Sequence, residues 1–354
     1  MYQDSEHGIS VLPPTQNKQR LGWIDYAKGI AIVLVVYRHL AYGLLASDIS
    51  LPKAITDTND MLYSFRMPLF FLLSGAFFER SLRSRGTRGF AINKVNTLLY
   101  PYILWAIIQI SLQIVFSSFT NASRSGLDFL NIIVQPRKLD QLWYLFALFN
   151  VTIIYLLVSL VTGDRKGWQL LIGLVLLGIA PYVVSHSALY DICLHYIFFA
   201  IGDWGSRYFF SEDTQQRLSN PVNLLIALPV FAALQWYYLL HQGMNLYVYM
   251  LIALNGCLFV MLLSSYLART GTFSFLRIIG NYSLYIYLLH VTIAAALRMI
   301  LIEAGIDNGT VLLLILIPVS IVLSIRIYRA CMHLKLGFLF KGPLEEKRLK
   351  HRPK

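Results

Sequence analysis

The sequence is poor in cysteine, in acidic residues and in charge of any kind. Its three cysteines, Cys193, Cys257 and Cys331, are scattered through apolar stretches. They make no CxxC spacing and cannot all pair, which excludes a disulfide framework and a thiolate zinc site. Only 14% of the 354 residues are charged while 57% are hydrophobic, with a mean hydropathy of +0.59. That balance excludes a water-soluble core and implies a polytopic membrane protein. The 18 acidic residues against 30 Lys and Arg leave a net charge of +12. The basic residues sit between apolar runs and in the tail, where they act as orientation signals and contacts with anionic lipid, not as a nucleic-acid surface. Residues 1–20 are polar, contain Pro13 and Pro14 and offer no apolar h-region, so no cleavable signal peptide is expected and the first span directs insertion. No internal repeat marks out transporter-like halves.

What is present is a series of apolar runs of spanning length. They predict an all-α fold of about ten transmembrane helices, near 24–45, 62–79, 95–117, 142–161, 168–184, 190–209, 221–240, 246–267, 279–302 and 310–334. This reading divides the chain into a polar segment 1–20, a transmembrane domain 21–335 and a basic tail 336–354. Lys and Arg set the orientation. The connection after the second run carries Arg80, Arg83, Arg85, Arg88 and Lys94, read here as a basic loop, and the tail carries Lys341, Lys347, Arg348, Lys350, Arg352 and Lys354. Both are expected in the cytoplasm, which places the N- and C-termini inside. The connections 47–61 and 303–309 are acidic and fit the outside; the 118–141 loop, with Arg124, Arg137 and Lys138, is placed outside by alternation alone.

The stretch Arg20–His39, RLGWIDYAKGIAIVLVVYRH, puts ionisable side chains into the first span. Lys28 and His39 are eleven positions apart. On a helix that is about three turns and a rise of roughly 16 Å, so the two share a face. Ionisable groups within a span are costly enough to mark function. The orientation puts Lys28 near the cytoplasmic surface and His39 in the outer half. Arg38 lies about 100° around the helix from His39 and has no evident role.

Further along, SFRMPLFFLLSG holds Arg66, Pro68, Ser74 and Gly75. Pro68 and the Ser74–Gly75 pair read as a kink and a packing notch, or as a place where a ligand comes close. Arg66 must snorkel, pair or line a polar cavity. Arg80 and Arg83 suit phosphate groups, or are ordinary positive-inside charge. Trp143 and Tyr144, following Asp140, are aromatic-belt anchors or a platform for a sugar. Asp191 and His195, four apart, make an incomplete metal site and are assigned no function. His290, about mid-membrane in GNYSLYIYLLH, is a satisfied core histidine or a member of the site.

Taken in order, DYAKGIAIVLVVYRH, SFRMPLFFLLSG, LLYPYILW, LWYLFALF and GNYSLYIYLLH resemble the integral membrane acyltransferase family 3. They resemble especially its branch of fucose O-acetylase-like and exopolysaccharide O-acetyltransferases. The resemblance covers Arg20 to His290. It implies a multi-pass protein of a bacterial cytoplasmic (inner) membrane, acetyl-CoA as the donor from the cytoplasm, a hydroxyl of a lipid-linked or exported glycan as the acceptor, and no metal. It also implies that Lys28 contacts CoA and that His39 is the catalytic histidine. Two positions depart from the family pattern: Arg38 stands where glycine is common and Arg66 where a second histidine is common. A histidine with an ordinary pKa near 6.5 can take the proton of a hydroxyl as it attacks a thioester, or can carry the acyl group itself. Arg66 or Tyr144 is a candidate donor to the oxyanion. The competing readings are a transporter or flippase for a glycan or small solute, and an acyltransferase with a succinyl donor or a lipid acceptor.

Overall fold

The computed structural model describes residues 22–116, 125–163 and 165–345. Segment 1–20, Arg20, Arg124 and the tail residues Lys347 to Lys354 lie outside the described residues. Helices dominate, and no strand occurs among the described residues.

Helix α1 (Gly22–Leu45) is the central element. Residues on all its sides are buried, from Trp23, Ala27 and Ala31 to Val36, Leu40 and Leu44, because α3 (Arg66–Ala76), α12 (Leu246–Thr270), α13 (Ser274–Asn281), α14 (Ser283–Glu303) and α15 (Gly309–His333) surround it. Two glycines allow the closest of these contacts. A Cβ on Gly29 would overlap the Leu276 carbonyl of α13, and one on Gly280 would overlap the Asp25 carbonyl of α1. The two backbones therefore touch, as small residues permit between helices in a membrane.

Among the described residues, eight helices are long and apolar enough to cross a membrane. Each of the ten predicted runs holds a helix among the described residues; the two whose helices fall short of that test are α3, with eleven residues, and α9 (Ser187–Phe209), which carries Asp191, Asp203 and Arg207. They pack on each other. A Cβ on Gly75 would meet the Phe199 carbonyl, and one on Gly202 the Leu72 carbonyl. Both α9 carboxylates are paired internally, although Asp191 Oδ2 is buried without a hydrogen bond among the described residues. Arg137 binds Asp191, and Lys166 binds Asp203 at 3.4 Å while Tyr155 donates to it at 2.9 Å. Pairing of this kind is what lets charge persist in such a helix.

One expectation is corrected. The basic stretch 80–94 is not a loop but helix α4 (Phe78–Lys94), interrupted at Gly86, whose φ of 68° only glycine adopts readily. It runs through a π-helical turn, Val95–Leu99, into α5 (Tyr100–Val115). Pro101 has no N–H to give the carbonyl four residues back, and the widened turn accommodates that loss. Residues Gly337–Glu345 fold back onto this joint. Asn96 exchanges hydrogen bonds with Leu344 (2.7 and 3.1 Å), Trp105 Nε1 donates to the Leu339 carbonyl (2.8 Å), and Phe340 is buried beside Tyr285 and Tyr328.

Candidate functional site

His39 and His290 meet where α1 and α14 pack. His290 is fully buried, and its Nδ1 lies 2.8 Å from the Ile286 carbonyl and 3.0 Å from that of Tyr287. A nitrogen facing two carbonyls must carry the proton, so Nε2 of neutral His290 is an acceptor. That Nε2 lies 3.3 Å from His39 Nδ1, which also faces the Val35 carbonyl at 2.9 Å. With acceptors on both sides, His39 Nδ1 holds its proton too. The remaining nitrogen, Nε2, carries the lone pair. Hydrogen-bond accounting thus assigns His39 the tautomer of a base.

His39 lines a cavity of about 760 Å³ formed by the C-terminal halves of α1, α5 and α14. Its polar wall is built from Arg38, Gln109, Gln113, Asp140, Thr292 and Arg298. Arg298 donates to the Gly43 carbonyl at 2.6 Å, and Gln113 donates to Asp140 at 3.1 Å. Asp140 has φ of 50°, an unfavourable conformation for a non-glycine residue. The rest of the wall is largely apolar, from Leu112 and Phe116 to Ala294, Ala295 and Leu316.

Arg38 has a place after all. It reaches Asp60 at 3.5 Å and lies over the rings of Tyr42 (4.5 Å) and Tyr63 (4.1 Å). Asp60 belongs to α2 (Lys53–Met61), so the pair latches the α1–α3 connection beside the cavity. Arg66 works on the same connection. It is 1% exposed, and its guanidinium donates to the Leu62 carbonyl (2.8 Å), to Asn59 Oδ1 (3.0 Å) and to the Asn59 carbonyl. It is not among the residues lining the His39 cavity.

The other sequence candidates separate into groups. Lys28 is half-buried on α1, about 16 Å along the axis from His39. Arg80 and Arg83 are exposed on α4; Arg83 pairs with Glu79, which also binds Lys166 at 2.9 Å. Tyr144 is buried against Phe70, Phe71 and Tyr287, with Ser74 in hydrogen-bonding reach of its hydroxyl. Trp143 lies under the Arg137 guanidinium at 4.6 Å and beside His195. The structure therefore unites His39 with His290 and leaves Lys28, Arg80 and Arg83 away from them. Sequence reading missed Arg298, Gln109 and Gln113. The signals existed: an arginine inside the ninth span, and two glutamines four apart in the third, hence on one face.

A family model described as an acyltransferase domain matches residues 21–329. No curated protein and no solved structure matches the chain.

Proposed function

Since the chain belongs to the acyltransferase family 3 of membrane proteins, we propose that it is an O-acetyltransferase that moves an acetyl group from acetyl-CoA to a hydroxyl of a lipid-linked or exported polysaccharide sugar. The observation that carries this reading is the tautomer of His39: Nδ1–H is held by Val35 and His290, so the lone pair of Nε2 is left for chemistry beside a cavity of about 760 Å³.

In this reading His39 Nε2 takes the acceptor's hydroxyl proton as the oxygen attacks the thioester carbonyl. The tetrahedral oxyanion collapses, the C–S bond breaks, and the CoA thiolate leaves and takes up the proton from the imidazolium. His290 Nε2 and the Val35 carbonyl stabilise the imidazolium through its Nδ1–H. The variant route, in which Nε2 itself attacks and carries the acetyl group to the sugar, uses the same lone pair. Arg298 and Arg38 are the cations nearest to hand for the oxyanion. The positive-inside distribution supports an inner-membrane orientation with α4 and the N-terminal end of α1 in the cytoplasm. Lys28, Arg80 and Arg83 then face the arriving CoA, and the His39 cavity opens toward the exported glycan.

The test is the acetyl content of the host's glycan. His39→Ala protein, inserted and folded, is expected to leave that glycan without O-acetyl groups by mass spectrometry; full acetylation would remove His39 from the mechanism. Acetyl-CoA-dependent thiol release by the purified protein is expected, and solute flux without it would favour a transporter.

A further inference from the structure

A second concavity, of about 170 Å³, lies beside the His39 cavity and has no part in the chemistry above. The two are neighbours through one contact: Arg38, in the wall of the first, lies 4.1 Å over the ring of Tyr63, in the wall of the second. This second pocket is built around Arg137. Its Nε and Nη2 both donate to Asp191 Oδ1, with the Nε bond at 2.8 Å. Its guanidinium lies over Trp143 (4.6 Å) and Tyr190 (5.1 Å). Asp191 is completely buried, so the arginine is held rigidly and its charge is answered within the protein. A phosphate or carboxylate entering here would find its counter-charge already taken.

What the pocket offers is ring faces interleaved with neutral polar groups. Tyr63 and Tyr238 present rings that end in hydroxyls. His195 Nδ1 donates to the Asp191 carbonyl at 2.8 Å, leaving Nε2 as an acceptor. Gln242 gives one amide hydrogen to the Tyr238 carbonyl at 3.0 Å and keeps its Oε1. A hydrocarbon tail would strand these groups without partners. A sugar ring matches them, with C–H faces for the aromatics and hydroxyls for the donors and acceptors.

We propose that this pocket binds an uncharged pyranose residue of the acceptor glycan, the neighbour of the residue acylated at His39, and so selects the acceptor. The proposal rests on the glycan reading of the His39 cavity. Exposed Gln242 and Arg137 stand on its rim, where a chain could leave it.

The experiment is saturation-transfer NMR on the full chain in phosphatidylcholine nanodiscs, with methyl glucopyranoside, galactopyranoside and mannopyranoside, methyl glucuronide and inorganic phosphate as probes. It is run on His39→Ala protein, so that binding is read apart from catalysis. At least one neutral hexoside is expected to bind through its ring protons, and methyl glucuronide and phosphate at least fivefold more weakly. Gln242→Leu, at an exposed position that folding does not depend on, and Tyr238→Phe are each expected to weaken the hexoside at least threefold. Absence of binding by every hexoside, equal binding of the glucuronide, or binding indifferent to both substitutions would overturn the proposal. Full glycan acetylation by His39→Ala protein would instead remove the base while leaving the pocket's binding measurement standing.

Discussion

Replacing His290 by leucine tests the reading of the His39 site most directly. The substitution removes a buried polar ring and leaves an apolar side chain of similar reach, so folding is expected to survive; the Ile286 and Tyr287 carbonyls that the ring addressed sit inside α14. What is lost is one of the two acceptors on His39 Nδ1–H, at 3.3 Å, while the Val35 carbonyl at 2.9 Å remains. In the ground state that is a neutral hydrogen bond worth about 1 kcal/mol. In the transition state His39 is an imidazolium, and a hydrogen bond to a charged group is worth about 1.5–3 kcal/mol. Only the difference between the two, about 0.5–2 kcal/mol, slows the chemical step, so at about 1.4 kcal/mol per decade kcat should fall roughly 2- to 30-fold with the KM for acetyl-CoA nearly unchanged. Loss of the base itself, in His39→Ala, should cost about 10²- to 10⁴-fold. His290→Gln restores an acceptor and should recover part of the rate. The assay is acetyl-CoA-dependent thiol release in membranes that hold the acceptor glycan. A wild-type rate in His290→Leu would show that the ring does nothing for His39. A rate as low as that of His39→Ala, without recovery in His290→Gln, would show that His290 reacts in its own right.

Three further outcomes are expected. Gly280→Leu forces the Asp25 carbonyl away and should cost about 1–3 kcal/mol or more, read as a lower thermal midpoint in detergent; an unchanged midpoint would mean α1 and α13 do not touch as described. Arg137→Leu leaves the fully buried Asp191 carboxylate without its guanidinium and should destabilise by about 3–5 kcal/mol, whereas Arg137→Leu with Asp191→Leu should cost distinctly less; a double-mutant loss equal to the sum of the two single losses would deny the coupling. Arg66→Lys keeps the charge but loses the planar fork that serves Asn59 and Leu62 together. It should lower stability by about 2 kcal/mol, with the KM for acetyl-CoA unaffected if Arg66 is a strut of the connection and raised if it binds the donor.

The sequence by itself determined that this is a helical membrane protein and where its helices run, because the length and apolarity of a span are local properties that the bilayer imposes on each segment separately. It also singled out His39, since an ionisable residue in an apolar run stands out without any knowledge of its neighbours. Its weakest reading of structure was the stretch 80–94, where charge density suggested a loop; helices α4 and α5 are continuous, and only the backbone shows the break at Gly86 and the widened turn before Pro101. Tertiary structure alone decided that His290, 251 positions away, sits on His39 and fixes its proton. It also decided that Arg38 belongs to Asp60 and the tyrosines, and that Arg66 holds a connection together. The reason is physical. A buried polar group takes its role from whatever satisfies its hydrogen bonds, and for His39 that partner comes from a helix far along the chain, which no local pattern reveals.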